Sequence, residues 1–239
     1  TIILREIKNY LKEFQFNIIA PLINTILLVF ILSTINKFYN FGFLKDSYMY
    51  FLIPGIIMTV VMQTSFIHLS QVIISMKQIG SFDDYLVSPI SREEIFISFM
   101  ISSIFVCLIV AIINIIFLSF FIEFEKIYYF SLVYYLLLGI IIFSSIGAII
   151  GFLSFTWDFQ SSVSNFFIIP ASFFSGTFFS IESLDSKYKF LLEYNPLYYL
   201  VSGFRNSFIQ DYQINLFNEL YILFVSIAIF IFALFIFKK

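Results

Sequence analysis

Residues 127–157 read IYYFSLVYYLLLGIIIFSSIGAIIGFLSFTW, a stretch of 31 residues without a charged side chain. A helix rises about 1.5 Å per residue and the hydrocarbon layer of a bilayer is about 30 Å thick, so about 20 such residues cross a membrane. The rest of the chain has the same character, because 61% of its 239 residues are hydrophobic and 12% are charged. Soluble domains carry about 25% charged residues. The composition therefore excludes a soluble globular protein and predicts an all-α polytopic membrane protein.

Five further charge-free runs lie along the chain. They are residues 18–35, 48–69, 95–122, 159–181 and 220–237. Together with residues 127–157 they predict six transmembrane helices in a single domain, residues 1–239. An even number of crossings puts both termini on the same side of the membrane. Lys and Arg are spread almost evenly over the two sides, so the positive-inside rule does not decide which side is cytoplasmic.

The first 16 residues predict a different kind of helix, one that lies along the membrane surface. At about 100° per residue its apolar and charged side chains separate onto two faces. One face holds Ile3, Ile7, Tyr10, Leu11 and Phe14, and the other holds Arg5, Lys8, Lys12 and Glu13. A cleaved signal peptide fits poorly, because the charges do not precede a short apolar core. We expect residues 1–16 to form an interfacial amphipathic helix.

The segment 70–94, between the second and third predicted spans, is rich in charge. It holds Lys77, Asp83, Asp84, Arg92, Glu93 and Glu94. Residues 76–86 predict a short helix that Ser88-Pro89 ends. Ser91 and Glu94 have the spacing of a capping box, which would start the third span. A solvated connector and a docking helix for a soluble partner both agree with this pattern.

The segment 176–218 has no charge-free run long enough to cross a membrane, yet it is strongly aromatic. Asn195-Pro196 indicates a turn, and the apolar stretch 197–204 that follows is too short to span. A water-exposed loop would leave many large apolar side chains in water. The segment therefore predicts a re-entrant or interfacial helical hairpin that dips into one leaflet.

Three residues of this hairpin are candidates for a gate, which would be external if residues 176–218 lie outside the cell. Tyr198 and Tyr199 would lie in the interfacial aromatic belt. Arg205 would lie where the hairpin meets water, with two possible roles. It could hold a lipid phosphate or substrate anion, or it could pair with Glu193 or Asp211.

Several classes of function lack the residues they need. With one cysteine and one histidine, the chain cannot build a disulfide framework, bis-histidine haem ligation or a histidine-rich metal site. We interpret His68 as an interfacial polar residue and Cys107 as a packing residue. The sequence has no P-loop motif for ATP and no Ser/His couple or carboxylate pair for intramembrane proteolysis. A net charge of −2 gives no sign of a nucleic-acid partner. We predict no catalytic residue, no metal and no cofactor in this chain.

Four motifs follow one another along the chain. Residues 51–58 read FLIPGIIM, 80–94 read GSFDDYLVSPISREE, 169–180 read IPASFFSGTFFS, and 194–205 read YNPLYYLVSGFR. In this order and spacing they resemble the permease subunits of bacterial type-2 ATP-binding-cassette (ABC) exporters. The resemblance covers nearly the whole chain.

The resemblance implies how the chain would work. Such permeases form dimers in the cytoplasmic (inner) membrane, with both termini in the cytoplasm and residues 176–218 outside. Two separate ATPase subunits bind ATP and Mg. Segment 70–94 would couple to them, with the N-terminal helix as a second contact. The residues assigned to coupling are Lys77, Gly80, Asp83, Asp84, Tyr85, Arg92 and Glu93.

The substrate class follows from the resemblance only in outline. The family exports polysaccharides, lipid-linked glycans, drugs and other amphipathic molecules. The fifth predicted span offers amide and aromatic surfaces that suit sugar rings and lipid tails. Its candidate pathway residues are Asn165, Phe166, Pro170, Phe173 and Phe174, for which ordinary helix packing is an equal alternative.

Two other classes of protein compete with this interpretation. An integral membrane transferase would need a cluster of ionisable residues at one interface, and only segment 70–94 comes close. An ion-coupled secondary transporter would show inverted repeats and broken helices at mid-membrane. The sequence shows no convincing halves, so the exporter permease is preferred.

Overall fold

The computed structural model describes residues 2–39, 47–82, 89–122, 126–179, 186–208 and 215–238. Every regular element in these residues is a helix, which confirms the all-α class. The helices are α1 (Ile2–Lys12), α2 (Ala20–Tyr39), α3 (Ser47–Ile79), α4 (Arg92–Leu118), α5 (Tyr129–Leu153), α6 (Trp157–Val163), α7 (Ile169–Phe173), α8 (Ser186–Glu193), α9 (Pro196–Asn206) and α10 (Leu216–Lys238). Two π-helical segments, Gln15–Ile19 and Ser164–Ile168, lead into α2 and join α6 to α7.

Five helices of the described residues are long and apolar enough to cross a membrane. They are Gln15–Ile35, Tyr48–Ile79, Arg92–Leu118, Tyr129–Leu153 and Leu216–Lys238. Each corresponds to one of the charge-free runs. The chain is therefore a polytopic helical membrane protein, while the count of six crossings stays a prediction.

The remaining run, residues 159–181, takes a different form from the one predicted. The helix that overlaps this run covers residues 157–173. It contains the π-helical segment, and we call it the interrupted helix. At about 1.5 Å per residue it is about 25 Å long. The helix ends before Gly176, whose φ of 78° lies in the left-handed region that glycine favours. The absence of charge could not reveal this turn.

The tightest contact in the bundle joins α3 to α5. Three residues of α5 lie against three of α3, always 81 positions apart: Gly139 against Met58, Gly147 against Phe66 and Gly151 against Ser70. A constant separation means that the two helices run in the same direction and stay in step. A Cβ on Gly147 would lie 2.4 Å from the carbonyl oxygen of Phe66. Small residues thus allow the close backbone approach that replaces hydrophobic association inside a membrane.

Polar side chains add hydrogen bonds between helices. The hydroxyls of Ser103 and Ser144 lie 2.7 Å apart and connect α4 to α5. The hydroxyls of Thr59 and Thr177, 2.9 Å apart, connect α3 to the turn after the interrupted helix. Both pairs are buried, and such bonds between helices contribute about 0.6 kcal/mol each in membrane proteins.

One end of the bundle gathers four helix ends. The Lys238 ammonium at the end of α10 pairs with the Glu93 carboxylate at the start of α4, at 2.5 Å. The ring of Phe237 lies 5.5 Å from that of Phe96 in α4 and 5.6 Å from that of Phe152 in α5. Lys77, near the end of α3, also contacts α5 here. We call this the Lys77 end.

Both described ends of the chain lie at the Lys77 end. Ile2, at the start of α1, packs against the same apolar cluster as Phe237. This agrees with the even number of crossings inferred from the sequence. The placement of this end in the cytoplasm stays a prediction.

We predict that Gly147→Ala destabilises the protein by about 1–3 kcal/mol, the usual cost of overpacking a close contact. The added methyl group would meet backbone, which cannot move aside as a side chain can. Thermal unfolding of the detergent-solubilised protein measures the effect. Val133→Leu also adds one carbon, on the exposed side of α5, and should change little. Equal midpoints for the two variants would contradict the packing described here.

Candidate functional site

Lys77 closes the C-terminal end of α5. Its ammonium donates hydrogen bonds to the carbonyls of Gly151 and Ser154, each at 3.1 Å, and to that of Phe152. It also lies 4.6 Å from the ring centroid of Phe155. The last carbonyls of a helix have no partner within the helix and carry partial negative charge, so a cation satisfies them well. Lys77 therefore joins α3 to α5, and its ammonium points into the protein.

Gln78 extends this connection to the start of α6. Its amide nitrogen donates to the carbonyl of Phe155 at 3.3 Å, and its amide oxygen accepts from the indole N–H of Trp157 at 2.5 Å. The final turn of α3 is thus bonded to both ends of the connection between α5 and α6. A displacement of this turn would be passed to the interrupted helix. No sequence pattern indicated a role for Gln78 or Trp157.

The helix predicted for residues 76–86 starts at the wrong place. Residues 76–79 are the last turn of α3, which ends where Gly80 has a φ of 79°. Asp83, Asp84 and Tyr85 lie outside the described residues. Lys77 belongs to α3, which continues past the charge-free run 48–69 to Ile79.

The capping box is confirmed at the start of α4. The Ser91 hydroxyl accepts from the backbone N–H of Glu94 at 3.2 Å, and the Glu94 carboxylate accepts from the backbone N–H of Ser91 at 2.8 Å. The two neighbouring residues assigned to coupling both contact the end of α10. Arg92 donates to the carbonyl of Lys238 at 3.1 Å, and Glu93 forms the ion pair described above.

Arg205 lies inside the protein at the opposite end of the bundle, which we call the Arg205 end. Its side chain is buried, with 6% of the residue exposed. The guanidinium donates to the carbonyl of Phe51 at 2.9 Å and to that of Gly176 at 2.8 Å, and it lies 3.6 Å from the ring centroid of Phe51. This differs from the water-facing position predicted for it. Its N–H groups bind carbonyls of the turn after α7 and not water.

The predicted turn at Asn195-Pro196 and the two-helix hairpin are confirmed by α8 and α9. The Asn195 side chain accepts from the backbone N–H of Leu197 and donates to the carbonyl of Phe174, both at 3.0 Å. Tyr199 donates from its hydroxyl to the Glu193 carbonyl at 2.7 Å, which joins the two helices. Partial burial raises the pKa of the Tyr199 phenol. The depth of the hairpin in a bilayer stays a prediction.

Gly176 brings the Tyr198 ring against the turn after the interrupted helix. A Cβ on Gly176 would lie 2.7 Å from Cδ2 of Tyr198. Together with Arg205 this contact fixes the hairpin to that turn. All three predicted gate residues, Tyr198, Tyr199 and Arg205, therefore make contacts that hold the Arg205 end together.

A cavity of about 350 Å³ lies between α2, α3 and α7. Its polar lining residues are Asn24, Thr25, Thr59, Gln63 and Thr64. Gln63 donates to the Ser172 hydroxyl at 3.0 Å. Thr59 and Thr64 lie about 18–26 Å along α3, which is about 50 Å long. A cluster of polar side chains on membrane-spanning helices is costly in lipid, so these residues are candidates for a pathway.

The predicted pathway residues are only partly at this cavity. Phe173 lines it. Asn165, Phe166 and Phe174 are exposed on the outer surface of the single chain, and Pro170 is half-buried. The sequence did not predict a role for α2 and α3 in the pathway, yet these helices supply most of the cavity lining. The spacing of Thr59, Gln63 and Thr64 places three polar side chains toward one side of a helix, and this pattern could have indicated the cavity.

The sequence is similar to those of known membrane transport proteins. The family model described as "ABC-2 type transporter" matches residues 1–209. The inner membrane transport permease YadH of Escherichia coli strain K12 is 26% identical over 232 residues, which cover 95% of this chain and 88% of that protein. The permease of the same name from Shigella flexneri gives the same values.

Arg205→Met should lower the stability of the protein by about 2 kcal/mol or more, since a hydrogen bond to a charged group contributes about 1.5–3 kcal/mol. Arg205→Lys should cost less stability than Arg205→Met and should still be destabilising, because lysine lacks the planar fork that serves two carbonyls. Thermal unfolding in detergent measures both. As a control, Arg92→Met removes an exposed arginine with one carbonyl partner. An equal loss for Arg92→Met and Arg205→Met would contradict the role of burial.

Proposed function

The chain belongs to the ABC-2 type transporter family, and we propose that it is the permease subunit of an ATP-driven exporter in the bacterial inner membrane. Its role is to provide the membrane path, while two separate ATPase subunits bind and hydrolyse ATP with Mg. The observation that carries this proposal is the family match over most of the chain. The permease YadH, named as an inner membrane protein, supports the location.

In the proposed topology the interrupted helix is the fifth of six crossings. Its length of about 25 Å is close to the hydrocarbon thickness of about 30 Å, and modest local thinning of the bilayer accommodates the difference. The Lys77 end then faces the cytoplasm with both termini. The hairpin of α8 and α9 faces outward and acts as the external gate.

Coupling would start in segment 70–94 and reach the interrupted helix through Lys77 and Gln78. The ATPase contacts residues around Asp83, Asp84 and Tyr85, which follow the end of α3 along the chain. Among the residues that the structure describes, none has an atom within 4 Å of a Cβ built on Gly80. Movement there would be carried by the last turn of α3 to α5 and α6. Lys77 thereby becomes a transmitting residue and not a docking residue.

The substrate path is proposed to run along the cavity between α2, α3 and α7. Its amide, hydroxyl and aromatic groups suit an amphipathic substrate, such as a glycan, a lipid-linked glycan, a lipid or a drug. In a single chain the cavity is open at the side. A second copy of the chain would close it, and the exposed aromatic surface of the interrupted helix, with Phe166 76% exposed, is available for that contact.

Asp83→Lys combined with Asp84→Lys should reduce co-purification of the ATPase at least about tenfold, a change of about 1.4 kcal/mol. Reversed charge at a docking surface repels a partner that is complementary to the native charge. The measurement is the ATPase recovered per permease in detergent. Glu193→Lys with Asp211→Lys reverses two charges in the hairpin region and should leave recovery unchanged. Wild-type recovery with the first pair would contradict the coupling role.

Cysteine labelling tests the path. In a Cys107→Ala background, Gln63→Cys and Phe173→Cys should react with aqueous thiol reagents on the order of tenfold faster than Ile57→Cys, since a thiol needs water to form the reactive thiolate. Ile57 lies on the same helix as Gln63 and is fully buried. Equal rates for all three, with and without nucleotide and ATPase, would exclude this cavity as a water-accessible path.

A further inference from the structure

A second cavity lies at the Lys77 half of the molecule, between α1, α3 and the start of α6. Its volume is about 370 Å³. Nine of its ten lining residues carry a polar side-chain atom, and the exception is Val72. It is separate from the proposed path, with which it shares no lining residue. The coupling scheme above gives it no role.

His68 is the most unusual residue in this cavity. It is 5% exposed, and its Nδ1 has no hydrogen-bond partner in the part of the chain that the structure describes. The ring of Tyr10 meets its ring edge-on, with centroids 5.0 Å apart. A buried polar atom without a partner is rare in native proteins and calls for a ligand or another explanation. The sequence predicts that His68 is a simple interfacial residue, and this role does not explain a buried Nδ1 without a partner.

The remaining lining groups favour a cation over an anion. Of the described residues, Glu6 and Glu13 contribute carboxylates to the lining, and no lysine or arginine does. Glu6 is paired with Arg5, whose guanidinium lies 2.6 Å from one of its oxygens, so Glu13 is the carboxylate left for a ligand. The rings of Tyr10 and Trp157 add π faces. A carboxylate, an imidazole and aromatic rings together form an environment that recognises an ammonium group.

The depth of the cavity indicates where such a group would come from. The length of α3, about 50 Å, exceeds the hydrocarbon thickness by about 20 Å. His68 lies eleven residues before the end of α3, which is about 16 Å. The cavity is therefore in the half of the bundle that ends at Lys77, beside α1, which the sequence predicts to lie along the membrane surface at the level of the lipid headgroups.

We propose that this cavity binds a primary ammonium group, of the kind carried by the headgroup of an aminophospholipid. The ammonium donates hydrogen bonds to the His68 imidazole and the Glu13 carboxylate and lies against the Trp157 ring. Binding would hold α1 against α3. The proposal depends neither on the transported substrate nor on the direction of transport.

The test uses the full chain in nanodiscs made of phosphatidylglycerol with an increasing fraction of phosphatidylethanolamine. Native mass spectrometry counts retained lipids, and thermal unfolding reports stability. We expect one phosphatidylethanolamine retained per chain and a raised unfolding midpoint. Phosphatidylcholine, whose quaternary nitrogen has no N–H, should be retained about fivefold less. Soluble ethanolamine, added to phosphatidylglycerol nanodiscs, distinguishes a free amine from a lipid as the source.

Two variants assign the binding to this cavity. His68→Phe keeps the ring and removes its nitrogens, and Glu13→Gln changes one exposed side chain without altering its shape. Each should reduce phosphatidylethanolamine retention about fivefold, and Glu13→Gln serves alone if His68→Phe does not fold. Glu193→Gln, an exposed carboxylate at the Arg205 end, is the matched control. Retention in Glu13→Gln equal to that of the control, or equal retention of phosphatidylcholine and phosphatidylethanolamine, would overturn the proposal.

Discussion

The close parallel packing of α3 against α5 is the contact on which the rest of the molecule depends. Lipid tails are as apolar as leucine, so apolar area alone does not hold helices together in a membrane. Glycine at positions 139, 147 and 151 lets the backbones approach until side chains of α3 meet the surface of α5 directly. The cavities, the helix ends and the hairpin are all arranged around this pair.

At each end of the bundle a cation binds backbone carbonyls. Lys77 satisfies the terminal carbonyls of α5, and Arg205 satisfies carbonyls at the start of α3 and in the turn after α7. In lipid an unsatisfied carbonyl costs several kcal/mol, so a positive charge placed among carbonyls stabilises irregular backbone where a helix must stop. Both residues look like functional charges in the sequence because they are charged residues in an apolar chain.

Composition and local sequence rules predicted the long helices, the capping box and the turn. They did not predict contacts between residues that are far apart in the chain. Charge-free runs were enough to locate the long helices, and local rules located the capping box at Ser91 and the turn at Asn195-Pro196. Composition could not indicate that Gly176 would end the interrupted helix early. It also could not show which acceptors Lys77 and Arg205 would find, since these lie 74 and 154 positions away in the chain. The full lining of the cavity beside α3 could not be predicted, because it comes from α2, α3 and α7, which meet only in the folded protein.

The constant separation of 81 positions between the paired residues of α3 and α5 also bears on how such a chain can diverge. A substitution in either helix disturbs one contact. A single inserted or deleted residue inside either helix turns everything beyond it by about 100° and shifts it by about 1.5 Å, so every later glycine would face away from its partner. Changes of length should therefore accumulate in the connecting segments, while these two helices vary only by replacement and keep their register.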